Sequence, residues 1–142
     1  MSRDCPPIVF LSHVSSDRWV AKQLQLRMQE RGAEVFLDET DVEHGDDIEE
    51  AIIDALDRST EIVALLTPAA LQSHYIWLEL GHFWAARKRI VALLYGLDQK
   101  GLSTSERIPI FLKKIKVLAL DEVERYMNEL EARVKAAGGG DG

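Results

Sequence analysis

This chain predicts an α/β fold in three layers, a five-stranded parallel sheet with helices on both faces, and three observations lead there. Short continuous apolar runs recur along it, from Ile8 to Leu11, Val35 to Leu37, Ile62 to Leu66, Ile90 to Leu94 and Val117 to Ala119, the mark of strands buried on both faces. The segments between the first four runs, and the one after the last, carry apolar residues at helical spacing or turn signals. Strand and helix therefore alternate, and right-handed crossovers return each strand parallel to the one before.

Each element has its own warrant. Ile8 to Leu11 follows Pro6-Pro7, and Ser12 to Asp17 supplies a loop with several candidate helix N-caps. Val20, Ala21, Leu24 and Met28 form one helix face until Gly32 ends the helix. The second strand, Val35 to Leu37, leads into an acidic loop, after which Ile48, Ala51, Ile52 and Ala55 mark a second amphipathic helix. Thr67-Pro68 turns the chain after the third strand, and the helix bearing Glu79 precedes the fourth. The stretch 96–109, rich in Gly, Ser and Thr, predicts a mobile loop. Val123, Tyr126, Met127, Leu130 and Val134 give the last helix one apolar face. At this length the commonest arrangement is flavodoxin-like, strand order 2-1-3-4-5, with ligands bound at the carboxyl ends of the strands near the switch between strands one and three. Residues 1–137 read as one domain and 138–142 as a flexible glycine-rich tail.

Composition narrows the function classes. The 142 residues are 46% hydrophobic and 29% charged, which suits a soluble domain with a real core. No apolar run approaches the roughly 20 residues of a membrane span, and residues 1–7 lack the apolar centre of a signal peptide. With Cys5 as the single cysteine, a cytoplasmic location and no membrane partner are expected. No metal-ligand spacing links Cys5, His13, His44, His74 and His82. Eight acids and no lysine or arginine stand between Asp38 and Glu50, more than the whole net charge of −7. With no basic stripe to neutralise phosphates, nucleic acid is excluded as a partner. Ser12-His13 and Thr67-Pro68 stand where a receiver domain needs acids, Ser12 to Asp17 has no glycine for a phosphate loop, and no GxSxG elbow occurs.

The most informative stretch runs from Leu71 to Trp84. On a helix turning about 100° per residue, Tyr75, Glu79, His82 and Ala86 form one stripe, and Ile76, Leu80, Phe83 and Trp84 form the core-facing stripe beside it. Glu79 is thus expected on the shoulder of the buried face, where partial desolvation disfavours its charge. Spacing alone leaves Glu79 more often a solvated helix residue, and Tyr75 equally a core tyrosine with its hydroxyl at the rim.

Ser73-x-Tyr75-x-x-x-Glu79 resembles the Ser-x-Trp-x-x-x-Glu signature of TIR (Toll/interleukin-1 receptor) domains, with Tyr75 in place of tryptophan. Phe10-Leu11-Ser12-His13 is similar to that family's first box, Phe-Ile-Ser-Tyr, with His13 replacing tyrosine. Phe36-Leu37-Asp38, with Gly45 seven residues on, resembles the end of strand B and the BB loop. Together the boxes resemble the bacterial NAD-cleaving type. That resemblance implies Glu79 as the catalytic carboxylate, with Ser12, His13, Asp38, Glu43 and Tyr75 as substrate-binding residues around it. It also implies NAD+ as substrate with no resident cofactor or metal, release of nicotinamide with ADP-ribose or a cyclic isomer, and an immune or cell-death effector activated by self-association. The acidic segment works against a pyrophosphate, so either the helix start at Ser15-Ser16 or a neighbouring subunit must offset it. Self-association is expected through the loop from Asp38 to Asp47, docking on Arg87-Lys88-Arg89 or Lys113-Lys114-Lys116, head to tail and filamentous unless it closes. A non-enzymatic TIR signalling scaffold, or a nucleoside N-glycosidic hydrolase or transferase, are the alternatives.

Overall fold

The computed structural model describes residues 6–39, 46–97 and 115–138. Its strands β1 (Ile8–His13), β2 (Glu34–Glu39), β3 (Glu61–Leu66), β4 (Arg89–Leu94) and β5 (Lys116–Ala119) pair in parallel in the order β2-β1-β3-β4-β5. Among the described residues, the helices are α1 (Arg18–Glu30), α2 (Asp46–Arg58), α3 (His74–Ala85) and α4 (Val123–Ala137). The flavodoxin-like order expected from the pattern is the order found. Boundaries differ: β1 continues through Ser12 and His13, Asp38 and Glu39 belong to β2 and not to the acidic loop, and β2 to β5 each begin one residue earlier, at Glu34, Glu61, Arg89 and Lys116. Cys5, Glu43, His44, Gly45, Lys113 and Lys114 lie outside the described residues, as do most of the loop 96–109 and the tail after Gly138.

Alternation along the strands divides the interior into two cores. Val9, Leu11, Val63, Leu65, Val91 and Leu93 face α1 and α4, meeting Leu24, Met28, Tyr126 and Leu130. Phe10, Ile62, Ala64, Leu66, Ile90 and Ala92 face α2 and α3, meeting Ala55, Leu56, Ile76, Leu80 and Phe83. Each fully buried Ile, Leu or Phe of α3 stabilises this second core by about 1.5–3 kcal/mol. Phe10 stacks on Phe36 at 6.2 Å between centroids and meets Phe83 at 5.9 Å. Register is pinned at the amino edge, where the Ile8 amide donates to Thr60 Oγ1 (2.9 Å) and the Thr60 amide donates to the Ile8 carbonyl (2.8 Å).

Helix ends are closed by backbone geometry. Gly32, at φ 95°, donates to the Gln29 carbonyl while Ala33 donates to Met28, and a Cβ at Gly32 would stand 2.9 Å from Val134 Cγ1 of α4. The same pair of bonds ends α3, from Arg87 to Trp84 and from Lys88 to Phe83, but Arg87 there adopts φ 59° without being glycine. Lys88 then turns inward, its Nζ donating to the Leu56 and Asp57 carbonyls at the end of α2 and standing 5.3 Å from the Phe83 ring centroid. At the amino edge of β3, Glu61 is 1% exposed and accepts from the Tyr126 hydroxyl (2.6 Å) and from both terminal nitrogens of Arg133, which locks α4 onto the sheet. No helix among the described residues is long and apolar enough to cross a membrane.

Candidate active site

Two elements meet at the carboxyl edge of the sheet. Strand β1 is paired on both sides, so Ser12 has a fixed backbone between Asp38 of β2 and Ala64 of β3. Ser12 shares the parity of Phe10, and its side chain therefore faces the layer of α2 and α3. Thr67 begins the approach of α3: its hydroxyl accepts from the Ala70 amide (3.1 Å) in a single 3₁₀ turn, after which Ser73 caps the helix, accepting from the Ile76 amide (3.4 Å). The serine of the Ser-x-Tyr signature is thus the helix start that fixes the phase of Glu79.

That phase buries Glu79 more deeply than a shoulder position. The buried set of α3 is Ile76, Glu79, Leu80 and Phe83, the i, i+3, i+4, i+7 stripe, and Glu79 is 5% exposed. Trp84, expected on this face, is 45% exposed, because it lies about 90° round the helix from the centre of that stripe. The Ser12 hydroxyl donates to Glu79 Oε1 at 2.6 Å, within the buried layer and across 67 residues of sequence. A carboxylate taken from water costs several kcal/mol, and a short charge-assisted bond from a hydroxyl is the kind of partner that offsets it. A core position would otherwise take leucine.

The other expected site residues divide. Asp38 is the register partner of Ser12, so the two stand side by side on the sheet. Tyr75 lies one turn before Glu79 on α3 and is 56% exposed, which makes it a surface ring and not a core tyrosine. His13 is fully buried as the last residue of β1, and by alternation it lies on the opposite face of the strand from Ser12. Glu43 lies outside the described residues. Ser15 and Ser16 form a 3₁₀ turn before α1, and neither caps that helix, whose N-cap is Asp17.

One pair escapes sequence reasoning. The Thr67 hydroxyl donates to Asp17 Oδ2 at 2.6 Å, tying the turn after β3 to the start of α1 across the switch point. A threonine closing a strand before proline, together with an acid at a helix start, is the signal available for it. On α3, His82 Nε2 stands 3.4 Å from Asp57 Oδ1 of α2. No group of three His, Cys, Asp or Glu among the described residues is placed to hold a metal ion. A groove of about 510 Å³, lined by Trp19, Leu24, Leu26, Leu120 and Val123 among others, lies on the α1 and α4 face, opposite the layer of Glu79.

The model of the TIR domain family matches residues 9–130, which takes in all five strands and both Ser12 and Glu79. The chain belongs to the TIR family. A probable 2′ cyclic ADP-D-ribose synthase of Brachypodium distachyon is 33% identical to this TIR domain over 96 residues, 66% of this chain and 43% of the relative. The chain thus spans less than half the length of that relative. Among solved structures, the TIR domain of the Toll-related receptor TRR-2 from Hydra magnipapillata superposes with a TM-score of 0.64 at 20% identity, over 93% of this chain and 98% of that one. A CMP N-glycosidase of Clostridium botulinum gives 0.55 at 18% identity, over 87% of this chain and 98% of the other. At these identities the likeness of both structures speaks for the fold.

Proposed function

We propose that this TIR domain cleaves the N-glycosidic bond of NAD+, releasing nicotinamide and leaving ADP-ribose or a cyclic isomer of it. The observation that carries the reading is the buried Glu79 carboxylate, bonded to Ser12 at the carboxyl edge of β1, in a TIR chain with a cyclic ADP-ribose synthase as relative. As the bond between the anomeric carbon and the ring nitrogen breaks, its electron pair neutralises the pyridinium and positive charge develops on the ribose. A carboxylate held in a water-poor layer stabilises that cation more than it stabilises the ground state. Water then adds to the anomeric carbon and loses a proton, giving ADP-ribose, or a nucleophile within the same molecule closes a ring. NAD+ is substrate here and not a resident cofactor. Tyr75 offers an exposed ring one turn from Glu79 on which a flat base or ribose packs. The resemblance extends the proposal to an immune or cell-death effector whose turnover needs self-assembly.

The test is nicotinamide release by parent and Glu79→Gln protein at matched concentration, with chromatography to separate linear from cyclic products. Glutamine keeps the size and an acceptor for Ser12 but removes the charge, so turnover drops at least about a hundredfold, while stability stays within about 1 kcal/mol. Equal release by both proteins removes Glu79 from the reaction. No release by either, even when concentrated, favours the signalling scaffold, and preferential cleavage of free nucleosides or CMP favours the other N-glycosidic reading.

A further inference from the structure

We infer that Ser12 is a positioning residue, whose hydroxyl holds the Glu79 carboxylate ionised and in one orientation, and that it does not act by binding substrate. The inference rests on the proposed N-glycosidic chemistry. Ser12 is fully buried and its backbone is fixed by pairing on both sides, so Oγ is free to move only through one side-chain torsion. Its single proton goes to Glu79 Oε1 at 2.6 Å, the short distance of a hydroxyl donating to a charged oxygen. Glu79, by contrast, reaches its place through three torsions from a helix that crosses the sheet. The Ser12 hydroxyl fixes where Oε1 sits at the end of those torsions, and a carboxylate that accepts this hydrogen bond keeps its charge more readily than one that does not.

The neighbouring elements carry these charged and titratable groups. On α3 they are Tyr75 and His82, on α2 Asp57, which stands 3.4 Å from His82, and on β2 Asp38 holds the register position beside Ser12. Asp17 and Thr67 close the switch point, and His13 lies across β1.

The experiment compares parent, Ser12→Ala and Ser12→Thr protein by pH profiles of nicotinamide release, and by titrating the Glu79 carboxyl carbon resonance, assigned through Glu79→Gln. Ser12→Ala should lower kcat about tenfold or more near neutrality and leave KM within about twofold. Both its acid limb and the Glu79 resonance should move to higher pH by roughly one to two units, the scale of a hydrogen bond to a charged group. Ser12→Thr, which keeps the hydroxyl, should restore the parent profile. Added to Glu79→Gln, Ser12→Ala should cost nothing further. A raised KM with unmoved kcat would make Ser12 a substrate ligand and overturn the inference. So would a Glu79 resonance titrating alike in parent and Ser12→Ala protein, or a uniform loss of rate with a lowered melting temperature. If the parent releases no nicotinamide, a shifted resonance in Ser12→Ala protein still establishes that the hydroxyl holds the charge, and only the NAD+ reading fails.

Discussion

Two glutamates are buried in the described residues, and each is satisfied differently. Glu61 takes a bidentate guanidinium and a phenol from α4, whereas Glu79 takes a serine hydroxyl from β1. Burial and the neighbouring Glu61 carboxylate hold the Tyr126 phenol well above its ordinary value of 10.0. A raised folded-state value means that this stabilisation is complete below pH 10 and is lost as pH rises beyond it, since the unfolded chain releases the proton first. Tyr126→Phe should therefore cost about 1.5–3 kcal/mol at neutral pH, the worth of a hydrogen bond to a charged group. In urea titrations from pH 7 to pH 11, the gap between parent and variant should narrow above pH 10; a constant gap would mean that the phenol ionises equally in both states. Neither partnership could be read from local sequence. Glu61 and Tyr126 are 65 residues apart, Ser12 and Glu79 are 67, and helical or strand spacing reports only which face a residue occupies.

The elements themselves were legible because a strand buried on both faces must be apolar throughout and a covering helix apolar on one side. The ends of strands and the phase of α3 were less so. Ser12, His13 and Asp38 are polar yet paired in strands, since their ladder bonds come from the backbone. Hydrophobicity alone puts Trp84 inward, but the phase set by Ser73 leaves it half exposed and turns Glu79 toward the sheet. Gly32 ends α1 as its position predicts, and the structure supplies the reason: φ 95° and a close approach by Val134. Gly32→Ala should destabilise by about 2–3 kcal/mol, from left-handed strain plus a forced contact. Adding Val134→Ala should recover the contact part only. Arg87→Gly, at the matching end of α3, should gain up to about 1 kcal/mol, because Arg87 bears the strain that Gly32 avoids. Shifted denaturation midpoints at constant slope are the measure, and a neutral Arg87→Gly would show that the left-handed residue is relieved elsewhere.

Across the whole molecule, parallel pairing followed from alternation and crossover handedness, and the strand order found is the common one expected at this length, both without contact information. Assembly is a separate matter. Of the basic residues expected to receive the acidic segment, Lys88 caps α2 and Lys116 pairs with Glu129 at 2.9 Å, while Arg87 and Arg89 stay exposed. If those arginines dock on the acids between Asp38 and Glu50 of a second copy, specific activity should rise with protein concentration and fall with salt, since exposed charges are screened beyond about 8 Å at physiological ionic strength. Arg87→Glu with Arg89→Glu should abolish the concentration dependence. Activity per molecule that is constant over a wide range of both variables would exclude such a contact. The two buried glutamates also bear on how such a chain can change over time. Glu61 anchors α4 at the amino edge of β3, and Glu79 meets Ser12 three register positions further along, at the carboxyl edge, about 10 Å away. A change at Glu79 therefore leaves the Glu61 anchor of α4 untouched, so the carboxyl edge of the sheet can vary while the packing of α4 is inherited unchanged.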